Sequence, residues 1–473
     1  MNNSYIIFFF IIFLPRLSFI ILFPETGGDY EIYTTVAKNI LNGCGVSLSD
    51  PLTDECLPHF GGNHGPGYPF FLSSVWLIFN NSDYAVRIIQ SMIYCAACIW
   101  LLHAIFILNN NKKIILYLFF ILSLSPLLVA WPRYVQTETL SIAATIFLLA
   151  ELVLSISKNK IRIISIGLAL IFATWIRLDN IFLVIPVAFT CIYIHGFKNG
   201  VIKGLLIAII LSSTWGTWTA RNIMVDLPGL IPTDMIMPDG SRPPSGYLQW
   251  TKTWITHEYE KPGALWGINR KNYDQISIPD RAYKNEKEKL KIEKLIYELQ
   301  EHNQNDFPKF IDDEFANIAM NKIENDPIQY YLIYPSVRAL RMWSNPFSSF
   351  GWPNEMPDSG LSKEERLSAA KGNKYLLFQK AMEFPIHASS KALNACYRFI
   401  LMSLFILSII IIFLNKRNTY LLPLSIVTIS YMLSRTIFFS FNSNFETRYM
   451  VTAIPFIELI VILTIIPMIY KEK

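Results

Sequence analysis

Ionisable side chains at the edges of long apolar blocks are the residues of this sequence placed to do chemistry. Asp29 stands in Gly-Gly-Asp-Tyr-Glu, with Tyr30 beside it, directly after the first apolar block, and His64 stands in Asn-His-Gly-Pro-Gly-Tyr-Pro. Glu138 enters the fourth block in Arg-Tyr-Val-Gln-Thr-Glu-Thr-Leu, a run that begins at Arg133. Arg177 and Asp179 share Trp-Ile-Arg-Leu-Asp, Arg221 lies in Thr-Ala-Arg-Asn, and Glu446 and Arg448 lie in Asn-Phe-Glu-Thr-Arg-Tyr. Any one of these is ordinarily an anchor or a solvated edge, but ionisable groups at membrane depth are functional candidates by default. If the blocks bundle, the carboxylates and guanidinium groups converge under one surface. That combination suits a reaction at a lipid phosphate: arginines hold the phosphate and stabilise it as a leaving group, while a carboxylate takes a proton from an incoming hydroxyl.

The elements that must position these residues follow from composition. The 473 residues are 52% hydrophobic and only 16% charged, whereas soluble chains carry about a quarter charged residues. This is an all-α polytopic membrane protein by composition, and disordered, collagen-like and disulfide-knot classes are excluded. About ten blocks are long enough to cross a hydrocarbon core, near residues 5–23, 84–108, 114–131, 138–156, 163–177, 180–194, 204–219, 396–414, 420–439 and 450–469. The fifth and sixth read as a broken pair meeting at one face around Leu178 and Asp179. The first block lacks a basic start and a small-residue cleavage site, so it reads as a retained span and not a signal peptide. Arg16 inside it is expected to face the bundle interior or reach an interface, with no chemistry.

Short loops rich in Lys and Arg stay cytoplasmic. Lys112 and Lys113, then Lys158, Lys160 and Arg162, then Lys198 and Lys203, then Lys416 and Arg417, and finally Lys471 and Lys473 fall on one side when ten spans start inside. The formal charge of +5 is therefore a matter of topology, and no nucleic-acid partner is expected. The expected modules are a seven-span catalytic part at 1–220 with a first outer loop at 24–83, an outer-face domain at 221–395, and three spans within 396–473. Segments 68–80 and 330–343 have the aromatic and amphipathic character of interfacial helices. Cys44 and Cys56 share an outer loop, where an oxidising compartment would allow a bridge. Cys95 and Cys98 sit within a span, where packing explains them.

The sequence resembles the GT-C type of polytopic glycosyltransferases, in particular protein O-mannosyltransferases and lipid A aminoarabinose transferases. The resemblance rests on Asp29-Tyr30 with Ala37, Leu41-Asn42-Gly43 and Gly45, on Gly65-Pro66-Gly67-Tyr68-Pro69, on Thr137-Glu138, on Arg177 after an apolar half-span, on Arg221-Asn222, and on Glu446 to Tyr449 before Pro455. It covers the first 225 residues best, and the region from about 225 to 390 matches no known pattern. It implies inverting transfer from a polyprenyl-phosphate sugar to a glycan, lipid or protein hydroxyl on the outer face, in a bacterial inner membrane with the site facing the periplasm or exterior. It further implies that Asp29 is the general base, Glu138 a second acid of the site and Arg177 a phosphate-contacting cation. Tyr30, His64, Arg133, Arg221, Glu446 and Arg448 complete the expected substrate-binding set.

No cofactor and no metal are expected: H-E-x-x-H and Cys/His clusters at ligand spacing are absent from the sequence, and His59 and His64 read as loop hydrogen-bonding groups. A polysaccharide polymerase acting on lipid-linked sugars and a lipid-linked sugar transporter or flippase are the competing expectations. The flippase would place its ionisable residues near the midplane.

Overall fold

A computed structural model of the chain describes residues 2–49, 56–59, 65–227, 244–269, 273–302, 307–345, 351–353, 373–414, 420–443 and 445–470. Among these residues the fold is all-α and polytopic, with no β-strand and two isolated bridges, Glu25 with Tyr134 and Ser47 with Pro58. The first eight helices are α1 (Asn2–Leu22), α2 (Tyr30–Leu41), α3 (Gly67–Phe79), α4 (Asp83–Leu108), α5 (Lys112–Leu124), α6 (Glu138–Ser157), α7 (Ile163–Ile176) and α8 (Val184–Met224). Three more close the bundle: Pro385–Leu414, Leu421–Ser440 and Ile454–Ile469. Helix α6 and the last helix are buried along nearly their whole length, and α1 lies at the periphery.

Seven of the described helical segments are long and apolar enough to cross a membrane, against the ten spans expected. The difference has three sources. Helices α5 and α7 have 13 and 14 residues, which at helical rise cover about 20 Å of a core about 30 Å thick. The third is α8, which joins two expected spans across Gly196. Gly196 has φ 72°, a conformation open to glycine at little cost, and a Cβ on Gly200 would lie 2.5 Å from the backbone of Ile192. Residues 192 and 200 would stand about 12 Å apart along a straight helix, so the chain folds back at Gly196 into two half-helices.

Beyond α5 the chain runs without α-helix from Ser125 to Gln136, with one 3-10 turn at Trp131–Arg133, and much of it is buried. Non-helical backbone at membrane depth is tolerated where protein satisfies its polar groups, and here side chains do so. Gln90 donates to the carbonyls of Pro132 and Tyr134, Arg87 to that of Arg133, and Asn394 to that of Pro126. Arg16 points into the bundle, as expected. Its guanidinium donates to the carbonyls of Leu122 and Ser123 at the end of α5 and lies 4.1 Å from the Tyr94 ring centre, so it serves as a cap for carbonyls a helix terminus leaves over.

Cys44 and Cys56 form a disulfide. Helices Ser245–Lys252, Glu286–Glu301, Lys309–Asn325 and Tyr334–Ser344 surround a second core containing Tyr247, Trp250, Trp254, Leu299 and Phe315. Phe439, Phe445, Tyr449 and Met450 of the bundle belong to the same core, so these helices are packed onto the bundle end that carries Arg448. Arg338 reinforces the junction by donating to the carbonyls of Lys252, Ile255 and Ser440.

Candidate active site

Six segments of the chain bring acids and cations to one place. Asp29 occupies the position before α2, where an aspartate usually caps the helix, but its carboxylate makes no capping bond. It accepts instead from Arg448, 3.3 Å away. Gly27 brings the chain to this point with φ 90°, and a Cβ there would overlap the Gln136 side chain. The turn carrying Asp29 therefore rests directly on the segment leading to Glu138.

Glu138 is the first residue of α6, where an acid meets the positive end of the helix dipole. Its Oε1 lies 3.1 Å from Arg177 Nη1 and 3.7 Å from Arg448 Nη1. Arg177 sits in extended backbone where α7 ends. Its Nη1 also donates to Thr137, and Nε and Nη2 form a two-point pair with Asp179, both at 3.1 Å. Asn180 fixes this break by donating to Ser141 Oγ and the Ala173 carbonyl. The Gly-Pro-Gly-Tyr motif supports it from the other side: a Cβ on Gly67 would stand 2.6 Å from the Trp175 carbonyl oxygen.

Arg448 and Glu446 come from the strap before the last helix, and they pair with each other. Glu446 also accepts from Lys261 Nζ at 2.7 Å. Burial alone would raise its carboxyl, but Lys261 and Arg448 hold it down at about 2. Arg435, within Leu421–Ser440, completes the group. It reaches Asp179 at 2.8 Å and donates to the Tyr449 carbonyl through Nε and Nη2. Tyr449 stacks on Phe439 and lies 5.7 and 5.8 Å from the guanidinium carbons of Arg177 and Arg448.

The cluster thus joins Asp29, Glu138, Asp179 and Glu446 with Arg177, Arg435, Arg448 and Lys261. Accessibility divides it. The side chains of Asp29, Arg448 and Glu446 are 22–26% exposed, whereas Glu138, Arg177 and Arg435 are 1–4% exposed. The open half can meet a solute, and the closed half fixes charge and geometry beneath it.

Of the expected site residues, Asp29, Glu138, Arg177, Glu446 and Arg448 converge. Tyr30, Arg133 and Arg221 make their contacts elsewhere. Tyr30 donates to Asp83. Arg133 is spent on the carbonyls of Phe23 and Gly351 and on the Tyr134 ring. Arg221 donates to the carbonyls of Val46 and His59, pinning the disulfide loop. His64 lies outside the described residues. Arg435 and Lys261 were not expected. An arginine inside an apolar block was signal enough for Arg435, but no sequence feature marks Lys261 among the many lysines of its region.

Residues 63–218 match the family model described as dolichyl-phosphate-mannose-protein mannosyltransferase. That family is one of GT-C-type membrane glycosyltransferases. The match supports a membrane glycosyltransferase that uses a lipid-linked sugar donor. The matched segment holds Glu138, Arg177 and Asp179, and it ends before the strap that brings Arg448. Asp29 precedes it. Neither the comparison with curated proteins nor that with solved structures gives a match.

Proposed function

We propose that the chain transfers a sugar from a polyprenyl-phosphate donor to a hydroxyl acceptor, with inversion, on the noncytoplasmic side of the membrane. The acceptor oxygen attacks the anomeric carbon as the bond from that carbon to the phosphate oxygen breaks. The acceptor proton passes to Asp29, and polyprenyl phosphate leaves. Asp29 suits the base because its carboxylate is partly open and is not engaged in capping α2. A hydroxyl is too weak an acid to ionise beforehand, so the carboxylate acts by accepting the proton as the new bond forms. Arg448 and Arg177 supply fixed positive charge to the departing phosphate, whose negative charge grows in the transition state. Glu138 orients both guanidinium groups. The lysine-rich loops at the opposite ends of the spans support this side of the membrane.

The observation that carries this reading is the bridging of Asp29 and Glu138 by Arg448, which supports a shared site for the proposed base and cations. The test is to identify the polyprenyl-linked sugar that accumulates in cells lacking the protein, then to supply wild type or Asp29→Asn. Wild type should clear the accumulated lipid and Asp29→Asn should not, although it reaches the membrane in equal amount. Normal clearance by Asp29→Asn removes the base assignment.

A further inference from the structure

The helices between residues 244 and 345 lie outside the matched glycosyltransferase segment, yet one of their side chains enters the ionic cluster. Lys261 is 4% exposed and meets Glu446, whose other oxygen meets Arg448. A buried ammonium must be paired with an acid, and this one is paired with the same carboxylate that competes with Asp29 and Glu138 for Arg448. The turn around Lys261 is held in register with the strap. Glu258 accepts from the backbone and hydroxyl of Thr447, which lies between Glu446 and Arg448, and also from Asn345. Glu260, immediately before Lys261, is fixed by Arg281 and by the amides of Thr256 and His257. Lys261 is thereby offered to Glu446 by a rigid frame.

We propose that Lys261 is a positioning residue for the transfer reaction: by sharing Glu446 it keeps Arg448 divided between Asp29, Glu138 and the incoming phosphate. The proposal rests on the functional reading above. Without the Lys261 charge, Glu446 has Arg448 as its remaining cation in this chain of pairs and draws it away from the open side of the pocket. The helices unlike the family thus set how much of Arg448 the substrate can use.

The test measures binding of undecaprenyl phosphate to the purified full-length protein in lipid nanodiscs, with undecaprenol as the control lacking phosphate. Lys261→Met should raise Kd about tenfold, the effect of losing roughly one charge-assisted contact, and Lys261→Arg should stay within about twofold of wild type. In the Glu446→Gln background, where position 446 no longer competes for Arg448, adding Lys261→Met should change Kd less than about twofold. Wild-type affinity in Lys261→Met overturns the proposal. So does a full tenfold loss from Lys261→Met in the Glu446→Gln background, which would mark a packing role. If Lys261→Met does not fold, the comparison within the Glu446→Gln background decides alone. A wild-type protein that binds undecaprenyl phosphate no better than undecaprenol instead removes the functional reading, and this inference with it.

Discussion

Asp29 and Arg448 are 419 residues apart in the chain and 3.3 Å apart in the fold. The first loop of the protein and the strap before its last helix therefore meet at a single ionic cluster. Since Arg448 also faces Glu138, one guanidinium ties together the ends of the molecule and the start of its central helix.

Replacing Arg448 tests that tie. Arg448→Gln should lower transfer about a hundredfold or more, in line with the loss of a preorganised charge at a reacting centre. Arg448→Lys should recover only part, because an ammonium cannot reproduce the planar fork. Clearance of the accumulated donor lipid, normalised to membrane protein level, is the measurement. Equal clearance by Arg448→Gln and wild type would rule out the role.

Arg177 should matter for stability as well as for chemistry. Arg177→Ala leaves Glu138 buried beside an empty space, and removing one partner of a buried ion pair costs about 3–5 kcal/mol. The melting temperature in detergent should fall clearly. Adding Glu138→Gln should recover part of the loss, since the stranded charge is then gone; a double variant less stable than Arg177→Ala would contradict this. Donor use should suffer more than acceptor use in Arg177→Ala.

The Glu446 carboxyl predicts a pH window with a definite sign. Its pKa is depressed to about 2 from an ordinary value of about 4.3. The stabilisation it contributes is therefore complete above about pH 5 and is lost as the pH falls through about 2, folded and unfolded forms holding the proton alike only below both pKa values. The difference in unfolding free energy between wild type and Glu446→Gln should be roughly 1–3 kcal/mol at neutral pH and should shrink steadily as the pH falls towards and below about 2. A difference that grows on acidification would reverse the assignment.

Two glycines offer a matched pair. A methyl group on Gly67 would press on the Trp175 carbonyl at 2.6 Å, whereas one on Gly28 would meet nothing within 4 Å. Gly67→Ala should destabilise by about 1–3 kcal/mol, as overpacking does, and should displace Arg177, two residues beyond Trp175. Gly28→Ala should leave the melting temperature within about a degree of wild type. Similar melting for both would mean that α3 shifts freely against α7.

The sequence made the ionic site legible where an acid or arginine interrupts the edge of an apolar block. Asp29, Glu138, Arg177, Glu446 and Arg448 all follow that pattern, and all converge. Arg133 and Arg221 follow it as well, yet irregular backbone nearby claims them, because carbonyls without helical partners need donors and a guanidinium supplies several. Nothing in residue type separates the two fates. Hydropathy located α5 but overran its end, since the buried segment after Leu124 is as apolar as a helix. Pro126 and Pro132 were the marks of its irregular course. Lys261 was invisible because its importance lies entirely in tertiary placement.

The equal number of acids and cations among the described residues of the cluster has a consequence for turnover. Under the proposed function, a lipid phosphate would meet guanidinium groups already held by carboxylates, so it would gain one by displacing a carboxylate that held it. Attachment is an exchange of anions, and the spent lipid can be ejected by the same carboxylates swinging home. Such a site favours rapid release over tenacious grip, which suits a carrier molecule that must be recycled after every sugar it delivers.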